Sequence, residues 1–546
     1  MASVRTPAFV CLLLAAACGS RGSVTFAIRA PAVAALDPLT DPRVSEYLIK
    51  RSDGTLIGAA SPSSAGGPLP LGPLMVADVP TDMELSVLAG TELIGLARIR
   101  DVLVKPGVQT SYPADVRKPF VFVGGVQPAE VDPQNHARQS QILDPTTSKD
   151  LALVLATNSP KAILLPSDVG ASSVTSDGRF LLAGHAGATP GLTVVDTGSA
   201  AVLGELPLSA VPWRIAAAPR DAAVAIVDAT PPDGSVLLFS DVAGLTASAR
   251  DQRPTKITLR GDSARQAAFS PDAQQLYLLT GDAHNLDPCG AATAPKPNAI
   301  AIYGLDGQAA GSWILPSFAA DLAVDEASGT LVISLPLLNQ VATIDPSSPP
   351  GAVTPKKLLD GATCASAVHV AGPDVFVVTT DLDPQTDSFR LKRVPLAGGT
   401  AVNLTFAQPR YEGIINDSQP PDGKVSINLS LHPKFQYAYD LAVAPDGNRV
   451  VFATRTRYSE VNESFSLISD LAFSCRTTVE IVEYGLYVVD TRNGTASYQP
   501  RSQLVTAPAV GKPCITCTNP FVSIPFGCPS SPGDRPAGLA AVFGGP

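Results

Sequence analysis

The chain has 546 residues, 45% of them hydrophobic and 16% charged, with a formal net charge of -10. That length exceeds one ordinary core and calls for several domains or a repeat; the composition excludes a disordered chain; and acidity without any basic block excludes a nucleic-acid role. The 51 prolines and 44 glycines favour many short strands joined by turns over long helices.

The first residues read as a leader. Arg5 supplies a positive charge, and residues 9–17 form an apolar run too short to span a bilayer. The run ends in Leu14-Ala-Ala-Ala-Cys18-Gly19-Ser20. That string resembles the lipobox of bacterial lipoproteins, although Ala15 stands where the family has Leu. The resemblance implies a signal peptide over residues 1–17, a lipid on Cys18 as the mature first residue, and a membrane anchor. Gly19 in place of Asp resembles the outer-membrane sorting pattern, facing the periplasm or the cell surface. The alternative is an ordinary signal peptide cut near Ala17. Both export the protein to the cell envelope.

Residues 18–113 read as a small β-sandwich domain. Val24-Thr-Phe-Ala-Ile-Arg29 alternates, and Tyr47-Leu-Ile-Lys-Arg-Ser-Asp53-Gly54 carries a hairpin turn. Short strands follow at 84–88, 92–96 and 97–104. No site is visible in this domain, and a spacer role is the plain reading.

From residue 117 to 500 short apolar strands recur in groups of four with a period of roughly 40 to 55 residues. The clearest corner is Leu441-Ala-Val-Ala-Pro445-Asp446-Gly447. There Asp446 can bond its own backbone, and Gly447 can take positive φ. Weaker copies include Asp177-Gly178 and Phe269-Ser-Pro-Asp272. Four-stranded units must stack on one another to bury both faces, so the expected fold is all-β, a propeller of seven four-stranded blades. Phe269-Ser-Pro-Asp272 and Leu192-Thr-Val-Val-Asp-Thr-Gly198 resemble the YVTN-type bacterial seven-bladed propellers. Similar propellers serve as binding modules, or as lactonases and quinone-dependent dehydrogenases with sites near the axis. No set of axial acid, His or Asn residues is evident here.

The tail, 501–546, is rich in Cys, Pro, Gly and Ser. Its run Pro536-Ala-Gly-Leu-Ala-Ala-Val-Phe543 reads either as an innermost strand returning to the first blade or as a disordered end. Cys289, Cys364, Cys475, Cys514, Cys517 and Cys528 form an even set that export would oxidise, with fifteen pairings open. Cys514-Ile-Thr-Cys517 lacks the His of a haem-attachment motif and a second pair for zinc, so disulfides are the better reading.

The long insertions, 281–298, 381–388, 407–436 and 454–484, all belong to second-to-third loops or blade links. They project from one face of the disc, where binding is expected. Residues 241–255 belong to the opposite face. Asp381, Asp383 and Asp387 offer oxygen ligands suited to calcium, or simply a solvated loop; no other cofactor motif is present. Arg410, Tyr411, Lys434, Tyr437, Arg455, Arg457 and Tyr458 gather around two of the insertions. Their residue types suit a partner surface for a protein or glycan, or an ordinary scatter of polar loop residues. The expected function is a lipid-anchored binding or scaffold module, with a propeller enzyme as the alternative.

Overall fold

The computed structural model describes residues 9–11 and 23–542. It leaves out 33–35, 52–53, 63–78, 106–107, 124–140, 145–148, 152–168, 186–188, 200, 210, 220–222, 229–233, 248–252, 260–262, 282–298, 381–387, 408–410, 420–422, 432, 445, 469–470, 506–513, 519–522 and 527–538.

Seven blades form the larger domain; five are four-stranded and antiparallel, the fourth adds the parallel outer strand Gly351–Ala352, and the seventh has six strands. Their innermost strands neighbour one another in a closed circuit: Val169–Val174, Pro212–Ala217, Ser263–Phe269, Leu322–Val324, Ala367–Ala371, Pro433–Val443 and Leu539–Val542. The last of these comes from the C-terminal tail. It pairs antiparallel with Phe120–Val123, so the end of the chain supplies the innermost strand of blade 1. The blades stack through their second strands, buried from end to end in Phe180–His185, Val224–Asp228 and Leu331–Leu335, and through the apolar residues of their third strands, Gly234–Phe239 for example. Between blades 6 and 7 the filling is aromatic. Phe452 stacks on Tyr487 at 4.9 Å between centroids and meets the edge of Phe389 at 5.5 Å.

The repeated corner motif has a local cause. In blade 2 the Thr175 hydroxyl donates to Asp177, and Asp177 accepts from the Arg179 amide. Ser270, Asp272 and Gln274 make the same bonds in blade 4. The residue after the third strand then locks this corner. Thr197 donates to the Gly178 carbonyl at 2.6 Å, and Thr491 to the Gly447 carbonyl at 2.7 Å. The Val-Val-Asp-Thr strings are therefore tethers between the two turns on one face of a blade. Asp196 and Asp490 cap the adjoining third-to-fourth turns.

The N-terminal domain is a sandwich. One sheet has the order Leu56–Ala60, Glu46–Arg51, Thr81–Ala89, Glu92–Val102, and the other joins Ser23–Arg29 to Gln109–Asp115 in parallel. Phe9–Cys11 adds to the edge of the second sheet. Val24, Phe26, Leu85, Val87 and Ile99 fill the space between them. The two expected strands at 92–96 and 97–104 are one continuous strand, because Gly95 is closed over by Pro38 and Val87 and marks no break in pairing.

This sandwich packs directly on the propeller. It lies across the face that carries the first-to-second corners. Arg100 donates to Ser176 at 2.6 Å and the Ala32 amide to the Gly198 carbonyl at 2.8 Å, both in blade 2. Glu92 pairs with Arg449 of blade 7 at 3.0 Å. Arg98 faces Glu326 of blade 5; burial depresses the Arg98 pKa and raises that of Glu326, and each charge opposes the other's shift. Blades 2, 5 and 7 are spread around the ring, so the sandwich spans the mouth on that side.

Candidate functional site

The opposite face carries the second-to-third connections and the links between blades. Two insertions there are strands, where the sequence suggested loops. Residues 454–468 and 471–484 belong to the antiparallel strands Arg449–Ile468 and Leu471–Asp490, 20 residues each. Alternating Thr, Tyr, Val and Ile with charged residues suits a ladder wet on at least one face. The other blades use second strands of only 4 to 7 residues, so this hairpin reaches roughly 40 Å beyond the disc at about 3.3 Å per residue. Residues 407–436 contain a second hairpin, Tyr411–Gln419 with Gly423–Leu431. In residues 241–255, on the other face, a short helix spans Val242–Ala247.

The long arm gathers the expected partner-surface residues by register. Arg455 lies opposite Tyr437 on one side and Tyr484 on the other. Two residues on, and so on the same sheet face, Arg457 lies opposite Phe435 and Val482. Tyr458 pairs with Pro433 and Ile481 on the reverse face, and Lys434 sits at the irregularity between Pro433 and Phe435. Tyr411 is set apart, opposite Leu431 on the short hairpin. Arg410 lies outside the described residues. Phe435 and Tyr484 were not among the candidates; they join Arg455 and Arg457 only through the pairing of three strands.

The same face also carries an apolar element, two blades from the arm. The second-to-third connection of blade 5 is the 3-10 turn Pro336–Leu338, ended by Asn339 in the left-handed region. Leu337 and Leu338 are each 42% exposed. The buried partner of this turn is Pro336, which leaves the two leucines as an outward pair.

Polar side chains also converge near the axis at this end. Asp321, just before the innermost strand of blade 5, accepts from Gln266 of blade 4 and from the Val368 amide of blade 6, both at 2.9 Å. Burial raises its pKa, and these bonds oppose the rise. Arg214 of blade 3 donates to the Tyr439 carbonyl of blade 7 at 3.0 Å, with Asp440 at 4.0 Å. Blades 3 and 7 are not adjacent, so Arg214 spans the axis. Arg265 donates to the Ala320 carbonyl at 2.8 Å and covers the Phe318 ring. No local motif announces this cluster, because its members are 47 to 225 residues apart in the bonds they make. Its groups are bonded to one another and to backbone, an arrangement that braces the ring. Among the described residues no group of three or more His, Cys, Asp or Glu is placed to hold a metal ion.

The remaining candidates are distributed as follows. Cys18, Cys289, Cys528, Asp381, Asp383 and Asp387 lie outside the described residues. Cys364 is buried, adopts positive φ, and is disulfide-bonded. Cys514 and Cys517 lie on the strand Cys514–Thr518, which extends the sheet of the long arm; Cys517 is opposite Cys475, and Cys514 opposite Thr478.

No family model and no curated protein matches the chain. Solved structures that resemble it include the hydrazine synthase of Kuenenia stuttgartiensis, at 15% identity and a TM-score of 0.37 over 63% of this chain and 98% of that one. A candidate 6-phosphogluconolactonase from Bacteroides fragilis shows 10% identity and a TM-score of 0.39 over 73% and 98%. A β-propeller domain from Myceliophteria thermophila shows 11% identity and a TM-score of 0.37 over 58% and 86%. The propeller assignment itself rests on the closed circuit of seven sheets.

Proposed function

We propose that this chain is an exported, lipid-anchored β-propeller that acts as a binding or scaffold module at the bacterial cell envelope. It takes a protein or glycan partner on the face that carries the arm. The observation that supports this reading most is the division of the two faces: one is occupied by the sandwich, and the other bears both hairpins, the Arg455 and Arg457 rows and the exposed Leu337–Leu338 pair. Aromatic and Arg residues with apolar surface are the usual anchors of an interface.

The anchor fits this orientation. Cys18 precedes the first strand of the sandwich proper, at Ser23, by five residues, a reach of at most about 18 Å. Lipid on Cys18 would hold the sandwich end at an outer membrane and turn the arm away from it. Processing there would remove Phe9–Cys11.

Two measurements test the reading. Mass spectrometry of the mature protein is expected to find Cys18 as a lipid-modified first residue; an unmodified terminus refutes the anchor. Capture from envelope fractions is expected with the intact chain and lost with Arg455→Glu plus Arg457→Glu, or with Leu337→Asp plus Leu338→Asp. Undiminished capture by both variants removes the arm face from the proposal.

A propeller enzyme of lactonase-like or dehydrogenase-like type is the second reading, and Asp321 and Asp440 at the axis are what favour it. It requires turnover that Asp321→Asn and Asp440→Asn abolish without unfolding the chain.

A further inference from the structure

The arm and the tail meet at one pair of residues that the fold does not otherwise need. Cys475 stands in the outer part of the strand Leu471–Asp490, and the strand Cys514–Thr518 pairs with it there. The register runs Ser474 to Thr518, Cys475 to Cys517, Arg476 to Thr516, Thr477 to Ile515 and Thr478 to Cys514. Directly opposed residues of an antiparallel pair have Cα atoms about 4.5 to 5.5 Å apart. A disulfide requires about 4.4 to 6.8 Å. Opposed residues also share a sheet face. Cys514 and Cys517 are three apart on one strand, which places them on opposite faces, so a bond within the Cys514-Ile-Thr-Cys517 motif requires that strand to break.

We propose that Cys475 and Cys517 form a cross-strand disulfide that fastens the tail to the arm. Of the fifteen pairings left open by the six cysteines, only those containing this pair fit the register. Each thiol gives up one hydrogen and a sulfur–sulfur bond forms. The two electrons and two protons reduce the disulfide of a thiol oxidase in the receiving compartment to its dithiol. In the cell this step rests on the export reading, which supplies that compartment.

The clamp has a defined consequence for the ring. Between the end of Thr495–Val505 and the closing strand Leu539–Val542 the chain has 33 residues, 506–538. With Cys517 fastened, the free length falls to 21, residues 518–538. Loop closure scales with the three-halves power of length, so the clamp raises the local concentration of the closing strand roughly twofold.

The test uses the full chain oxidised in a buffer of reduced and oxidised glutathione, which separates the pairing from export. Free thiols are alkylated and the unreduced protein is digested with trypsin. The tryptic peptide 458–476 carries Cys475, and the peptide 502–546 carries Cys514, Cys517 and Cys528. Fragment ions breaking between Cys514 and Cys517 are expected to place the link on Cys517. Recovery of Cys475 alkylated, or linked to Cys514, Cys528 or any other cysteine, overturns the proposal. Cys517→Ser is expected to free Cys475 for alkylation and to raise amide exchange at Leu539–Val542 by roughly twofold, whereas Cys514→Ser leaves Cys475 blocked. Correct pairing in glutathione together with a reduced protein in the cell would preserve the clamp and refute export.

Discussion

Glu92 is the residue on which docking of the sandwich can be tested most directly. Its carboxylate receives Arg449 at 3.0 Å and Arg43 at 3.3 Å, with Arg492 at 4.0 Å. The Glu92 and Arg449 side chains are only 16% and 17% exposed, so their charged hydrogen bond is worth about 1.5 to 3 kcal/mol. Arg43 is more than half exposed, and its share is about a few tenths of a kcal/mol. Asp490 keeps Arg449 and Arg492 paired after Glu92 is lost, which limits the repulsion that Glu92→Lys introduces. The substitution is therefore expected to cost about 3 kcal/mol of docking, a roughly 100-fold rise in the undocked population. Arg117 reports that population. It is buried beside Gly198 where the sandwich meets the propeller, and trypsin reaches it only when the domains part and its backbone bridge to Leu96 opens. Where reclosure outpaces cleavage, the cutting rate follows the open fraction. Glu92→Lys should accelerate cleavage after Arg117 by roughly 100-fold, and Glu205→Lys, the same charge change on an exposed outer strand, should not. Equal rates for the two variants would refute the docked arrangement.

Phe452→Ala should destabilise the propeller by about 3 to 5 kcal/mol, read as a lower denaturation midpoint, because Phe389, Phe406 and Tyr487 all pack on that ring. Leu337→Asp with Leu338→Asp should leave that midpoint within about 0.5 kcal/mol of the original, since both side chains are exposed. His369 is partly buried in the innermost strand of blade 6, and desolvation lowers its pKa to about 4 from the ordinary 6.5. Its neutral ring therefore favours the fold fully above pH 6.5, and that contribution disappears as pH falls through about 4. The contribution is at most about 3 kcal/mol; His369→Gln should flatten the loss of stability between pH 6.5 and 4, and an unchanged slope would contradict the burial of the ring.

Much of the architecture was legible because it is local. Asp177, Asp272 and Asp446 each cap a corner with their own carboxylates, so the turns carry their signal within four residues. The apolar run ending the chain is a strand for the same reason. The arm suggests a loop in sequence because its residues alternate apolar and polar over a length well beyond the other blade strands, and because its outer part pairs only with itself and with the tail strand Cys514–Thr518. The axial brace was not legible at all. Arg214 has no neighbour in sequence that predicts Tyr439 or Asp440; the contact exists only once seven blades have closed. The partner surface lies between these cases: Arg455, Arg457, Tyr437 and Tyr458 stood out by type, while Tyr484 and Phe435 needed the register.

The origin of the innermost strand of blade 1 makes the order of synthesis matter. Phe120–Val123 is made early, yet the strand that lies against it, Leu539–Val542, is the last to be made. Until that strand is made, blade 1 presents an unsatisfied strand edge beside Phe120 and Phe122, both buried in the finished ring. A chain that is cut short cannot hide that edge. The ring therefore cannot close before Leu539–Val542 has been made.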